Sequence, residues 1–226
     1  REAFGAVKEA YEAATPAVTL VFSFDASSAL RAQVEQGAPV DVFASADARN
    51  PRILAEAGLT SGEPLAFAGN RLAIVVPAAN PARIASPVDL ARPDVRLVSA
   101  GPEVPITSYT AKMLSNLARL PGYPERYVAA VSANVVSRED NVKAVLAKVQ
   151  LGEGDAGVVY ATDAKAAGDD VRTIPIPDEA NVVATYAAVV PKDAPHPAAA
   201  ASFLAWLRGP DGMAVLARFG FTAPAS

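Results

Sequence analysis

Ser27 and Ser28 stand side by side where a strand-like run gives way to a helical one, in Phe24-Asp25-Ala26-Ser27-Ser28-Ala29-Leu30. Arg31 to Gln36 continues the helical pattern, Gly37-Ala38-Pro39 turns the chain, and Val40 to Phe43 reads as the next strand. Hydroxyls at a helix mouth can hold an oxyanion without a formal positive charge. The first backbone N–H groups of a helix lack internal partners, and the helix dipole favours negative charge there. The plainer role for such a serine is to cap the helix, since Ser is among the best N-cap residues. Tyr160 closes the run Gly157-Val158-Val159-Tyr160 and offers another hydroxyl, at a strand end where an aromatic more commonly marks a boundary. Asp47 is placed to cap a helix over Pro51–Ala57, and Asp163 reads as a turn residue; neither is assigned chemistry. Around Asp140 two caps compete: a capping box led by Ser137, or Asp140 itself, which is the expected one.

Composition closes off several classes of chemistry. The chain of 226 residues has no Cys and one His, His196, set between two prolines in an apparent loop. A Cys/His zinc site is therefore excluded, and a Cys nucleophile or a His-dependent triad is close to excluded. No nucleophile–base or acid–base pair stands out, so the chain reads as a non-enzyme. The net charge of −4 with scattered Lys and Arg argues against a nucleic-acid partner, because phosphate neutralisation needs clustered cations. No apolar run reaches the length of a membrane span, and the opening Arg1-Glu2-Ala3-Phe4 is not a signal peptide.

The elements that must position these hydroxyls alternate between short β-rich runs and helical patterns, which predicts an α/β architecture with largely parallel sheets. Helices are expected over 2–13, 30–36, 51–57, 109–120, 141–151, 198–207 and 212–218. Strands are expected over 18–24, 40–44, 72–76, 95–99, 127–131, 157–160 and 181–190. Trp206 fits packing better than a ligand platform. Two runs look alike, Leu72-Ala73-Ile74-Val75-Val76-Pro77 and Ala187-Ala188-Val189-Val190-Pro191. If both cross between lobes, residues 78–187 form an inserted lobe and 1–77 with 188–226 a discontinuous first lobe. Two crossings suit a hinge, and clefts between domains are favoured ligand sites.

The run Ser27-Ser28-Ala29-Leu30 through Ala38-Pro39-Val40-Asp41-Val42-Phe43-Ala44-Ser45-Ala46-Asp47 resembles the molybdate-binding proteins of bacterial ABC transporters. Further pieces agree in order: Gly101-Pro102-Glu103-Val104-Pro105, Asp140-Asn141-Val142, Gly157 to Asp163, and Phe219-Gly220-Phe221-Thr222. The resemblance covers essentially the whole chain. It implies a type II periplasmic binding protein fold, two α/β lobes joined by a two-crossing hinge, with molybdate or tungstate bound as an oxyanion and no cofactor. It also implies a monomer outside the cytoplasm, free or lipid-anchored, that delivers its ion to a membrane permease.

Carried over position by position, the resemblance implies four ligand-binding residues. Ser27 would donate its hydroxyl and amide, Ile106 and Val142 their backbone amides, and Tyr160 its hydroxyl. Read without the family, Ile106 and Val142 are ordinary packing residues. Thr107 replaces the glycine common after the amide donor, so Thr107 and Ser108 either add a hydroxyl contact or cap the following helix. The family opens on a strand and a serine-bearing turn, and Arg1 picks up just past that serine, so the first strand and one usual donor are expected to be missing here. Three other readings remain open: the same fold holding a different oxyanion or a small carboxylate, for which Arg138 is the residue to watch; a bilobal enzyme; and a non-binding scaffold.

Overall fold

In the computed structural model, which describes residues 1–224, the chain divides into two compact units. One comprises Arg1–Asn70 and the chain from Ala184 on; the other is Arg71–Val183. The first break falls inside one continuous strand, Leu65–Pro77, so the units part at 70/71 and 183/184, ahead of the expected 77/78 and 187/188.

In the first unit, α1 (Glu2–Ala14) buries Ala3, Val7 and Tyr11, spaced four apart and so on one stripe. α2 (Ser27–Glu35) leads to β1 (Phe43–Ser45), α3 (Arg49–Glu56) and the first half of β2 (Leu65–Pro77). The unit closes with α8 (Pro197–Arg208) and α9 (Pro210–Arg218), each carrying proline in its first turn, where a missing N–H costs nothing. Tyr11 meets Phe203 and Trp206 edge-on at ring separations of 5.1 and 5.2 Å, so Trp206 is a packing residue. His196 is an exposed residue just ahead of α8, its backbone N–H donating to Asp41 Oδ1 at 2.6 Å.

One sequence expectation fails in this unit. Residues 18–24 alternate half-buried and exposed as a strand would, yet among the described residues they join no ladder. A period-2 pattern specifies a face; a strand also needs a neighbouring chain to take its N–H and C=O groups. Here Leu20 finds those partners in α1: its N–H donates to Glu12 Oε1 at 2.6 Å, and its carbonyl accepts from Lys8 Nζ.

The second unit is built on a mixed sheet. β3 (Leu97–Ala100) runs parallel to both β4 (Val135–Glu139) and β5 (Ala156–Tyr160), while the second half of β2 runs antiparallel to β5 and to β6 (Val171–Ile174). The expectation of largely parallel sheets is thus corrected. β2 does not belong to a strand–helix–strand series, so no crossover helix fixes its direction. In the first unit likewise, β1 is antiparallel to β7 (Val183–Val189), with Phe43 opposite Val189.

Helices α4 (Pro105–Leu117), α5 (Tyr127–Ala133), α6 (Val142–Gln150) and α7 (Ala161–Ala167) complete the unit. Residues 127–131 were expected as a strand and are helical: Tyr127 and Val131, four apart, are both buried, and the Tyr127 hydroxyl donates to the Pro87 carbonyl at 2.7 Å. β4, where Ser137 was weighed as a helix cap, is a strand.

Candidate functional site

Ser27 is the first residue of α2 and is buried. The first intrahelical bond at this end runs from Leu30 N–H to the Ala26 carbonyl at 3.0 Å, so the amides of Ser27, Ser28 and Ala29 precede the ladder. Ser27 Oγ accepts the Ala46 N–H at 3.0 Å, which leaves the hydroxyl proton to donate elsewhere. That bond ties the mouth of α2 to the end of β1. The serine is not the N-cap, which is Ala26.

On either side of Ala46 in the chain lies a polar cluster that sequence reading saw only in part. Asp47 Oδ1 accepts from Ser45 Oγ at 2.8 Å, from Asn50 N–H at 2.9 Å and from Asn50 Nδ2 at 3.1 Å; all three residues are buried. The N-cap of α3 is Ala48, not Asp47 as expected; Asp47 instead holds the first turn from one residue further out, through the Asn50 N–H. Ser45 and Asn50 went unnoticed because nothing in the spacing of a short strand and a helix start marks a residue as buried.

In the second unit, the carboxyl ends of β3, β4 and β5 lie along one sheet edge because the three strands are parallel. Ligands of open α/β sheets gather beyond such edges. α4 and α6 begin just past β3 and β4, and Tyr160 ends β5, so the topology brings Ile106, Val142 and Tyr160 to this one edge. Ile106 follows Pro105 as the second residue of α4, and its side chain is buried while its amide lies ahead of the helical ladder.

Thr107 takes an ordinary helical place. Its hydroxyl donates to the Gly101 carbonyl at 2.7 Å and to that of Ala100 at 3.2 Å, while Ser108 Oγ donates to the Pro105 carbonyl at 2.9 Å. Both hydroxyls are spent on local backbone, and Thr107 sits there without a left-handed backbone.

Val142 opens α6, and the cap is neither Ser137 nor Asp140 but Asn141, whose Oδ1 accepts the Ala144 N–H at 2.9 Å. The amides of Val142 and Lys143 therefore stand ahead of the ladder, whose first bond runs from Val145 N–H to the Asn141 carbonyl at 3.3 Å. Asn is as good a cap as Asp, and its position directly before the apolar periodicity was the available signal.

Tyr160 is buried, 4% exposed, and stands opposite Leu72. Its backbone N–H is held by the carboxyl of Asp163, in the first turn of α7. Asp163 is thus a backbone anchor rather than a turn residue. Burial pushes its pKa up from 3.8 to about 6, against the opposing pull of the Tyr160 N–H.

A serine beside an amine does occur among the described residues, but it is inert. Ser137 Oγ accepts from Lys148 Nζ at 2.9 Å, and Glu139 Oε1 lies 2.8 Å from the same ammonium. The bond to Glu139 raises the Lys148 pKa, and the Ser137 hydroxyl itself donates to Glu139. A lysine held protonated is no general base. Nor do the described residues contain a group of three His, Asp or Glu side chains able to hold a metal ion.

Each unit thus carries neutral donors of its own: the first has the Ser27 hydroxyl and amide at the start of α2, and the second has helix-start amides at Ile106 and Val142 and a tyrosine at the end of β5.

The model of the family described as bacterial extracellular solute-binding protein matches residues 1–222. The molybdate-binding protein ModA of Mycobacterium tuberculosis is 38% identical over 224 residues, 99% of this chain and 81% of the relative. Among solved structures, the periplasmic molybdate-binding protein of Azotobacter vinelandii shares the fold at a TM-score of 0.80 and 22% identity, covering 99% of this chain and 95% of that one. The sulfate-binding protein SubI of M. tuberculosis does so at 0.84 and 21%, covering 98% and 82%. These neighbours have the type II periplasmic binding protein fold.

Proposed function

Because the chain belongs to the bacterial extracellular solute-binding proteins, we propose that it captures molybdate outside the cytoplasm and delivers it to the membrane permease of an ABC transporter. It is a binder and not an enzyme. Relatedness to the mycobacterial molybdate-binding protein supports the choice of ion, and tungstate, a tetrahedral dianion of nearly equal size, is proposed as an alternative cargo.

The observation that carries the reading is the neutrality of the donor set. Ser27 supplies a hydroxyl and an amide, Ile106 and Val142 supply amides ahead of their helical ladders, and Tyr160 supplies a hydroxyl. We assign these four residues as ligands. Oriented dipoles hold a fully ionised oxyanion without reorganising. A donor-only site also rejects a protonated phosphate, whose O–H would find no acceptor, and a cavity sized for molybdate grips the smaller sulfate poorly. In this proposal the two units are the lobes, ligand draws them together by binding the closed state more tightly, and the protein works as a monomer.

Isothermal titration with molybdate, tungstate and sulfate tests it. The expected result is saturable one-to-one binding of molybdate and tungstate with sulfate much weaker. Ser27→Ala and Tyr160→Phe should each weaken molybdate by roughly 10- to 100-fold, the worth of one hydrogen bond to a charged group. Silence with molybdate, or equal affinity for sulfate, overturns the reading.

A further inference from the structure

The second unit contains a cavity of about 390 Å³ between the sheet and helices α4 and α5, which meets the donor edge just described at the side chain of Ile106. Its walls are aliphatic, with Leu97, Ile106, Leu114, Val131 and Val158 among them, and no aromatic ring lines it. The hydroxyls that border it are mostly turned onto backbone: Ser99 Oγ donates to the Ala100 carbonyl at 3.1 Å, Ser132 Oγ to Val128 at 2.8 Å, and Thr107 Oγ1 to Gly101 at 2.7 Å. The interior therefore offers dispersion contacts and almost no polar recognition.

The single charged group in the lining is Arg138, exposed on β4. It owes its place to an irregularity of register. Leu97 stands opposite Val135, but Val98 stands opposite Ser137 and Ser99 opposite Arg138, so β4 carries one extra residue at Val136. In regular alternation Val135 and Arg138, three apart, would point to opposite faces of the sheet. The bulge brings both to the face that carries Leu97 and Ser99, a re-aiming for which bulges are known. Among the described residues no hydrogen bond or ion pair engages the guanidinium; Glu139, its neighbour, is turned to Lys148 on the other face.

We propose that this cavity binds an aliphatic carboxylate of about eight to ten carbons, with the chain among the apolar walls and the carboxylate paired with Arg138. At about 390 Å³ the cavity lies near the lower end of the range for small-molecule sites, which suits a short aliphatic chain rather than a long one. The commitment to a carboxylate follows from charge. An apolar pocket whose one ionic group is a free, fork-shaped guanidinium complements a planar anion on an aliphatic tail. The inference does not depend on the molybdate reading, since none of its tests uses an oxyanion of a metal.

Titration of the full chain with decanoate, with decanol as the uncharged control, tests it. Saturable binding of decanoate is expected, with decanol at least about tenfold weaker for want of the charged hydrogen bond. Arg138→Ala should cost decanoate the same factor of about ten or more and leave decanol unchanged. Because Arg138 is exposed, this variant should fold, which an unshifted melting temperature confirms. Ala111→Trp, at an exposed position of the lining, should block both ligands. Absence of saturable decanoate binding, or binding indifferent to both substitutions, overturns the proposal.

Discussion

Lys8 and Glu12, one turn apart on α1, hold a single residue between them: Glu12 Oε1 accepts the Leu20 N–H at 2.6 Å while Lys8 Nζ donates to the Leu20 carbonyl and, at 2.6 Å, to Glu12 itself. Two side chains thus do for Leu20 what a neighbouring strand does elsewhere. The bond from Lys8 and that from the Leu20 amide hold the Glu12 carboxyl below its usual range. A depressed carboxylate stabilises the fold above its unfolded pKa, and loses that contribution as pH falls through the lower folded value. The Leu20 amide should therefore stay protected from hydrogen exchange at pH 5 and lose protection under acid. Glu12→Ala should remove the protection at every pH, with little change at Val7 on the buried stripe.

Asn141 separates helix capping from ligand binding at one position. Asn141→Ala should destabilise the second unit by about 0.5–2 kcal/mol, the cost of a lost cap, read as a lower urea midpoint. Asn141→Asp keeps the cap and adds a negative charge beside the Val142 amide. It should leave the midpoint nearly unchanged and weaken molybdate binding, so the two variants part company in titration.

Asp163 predicts a pH dependence of the opposite sign to Glu12. With its pKa moved from 3.8 to about 6 by burial, the folded protein binds the proton more tightly than the unfolded chain. Stability contributed at this site is therefore present at low pH and falls as pH rises from about 4 to about 6. Asp163→Asn keeps an acceptor for the Tyr160 N–H and cannot ionise. It should gain roughly 1–3 kcal/mol over the parent at pH 7.5 and little at pH 4, measured as the difference between two denaturant curves.

Gly157 sets how closely α6 approaches the sheet. A Cβ there would stand 2.9 Å from Val145 Cγ1 and 3.1 Å from the Val98 carbonyl. Gly157→Ala should cost about 1–3 kcal/mol by overpacking. Because α6 also carries the Val142 amide, molybdate affinity should fall in the same variant, checked by titration at a temperature where it is fully folded.

The helices at both ends of the chain were legible because their apolar spacing is long and regular, as in Ala3, Val7 and Tyr11. Shorter apolar runs were not: Tyr127 and Val131 fit a strand and a helix turn equally well until burial of both on one helical face decides. Residues 18–24 carried a true period-2 signal, but pairing depends on a second segment that local pattern does not contain. β4 was hidden by its own polarity, with Ser137, Arg138 and Glu139 in five residues. Of the donors, Ser27 could be reasoned from type and position. Ile106 and Val142 are proposed to act through amides any residue possesses, so only the family resemblance could single them out.

The extra residue at Val136 has a second consequence, for the company this chain keeps. β4 lies at the end of the strand order, where a row of unpaired N–H and C=O groups would invite another chain to add itself. A visiting strand would find its register broken after one residue, then an arginine directed to one face and a glutamate to the other. Growth of the sheet from molecule to molecule is thereby frustrated at the first step, which favours survival at high concentration without aggregation.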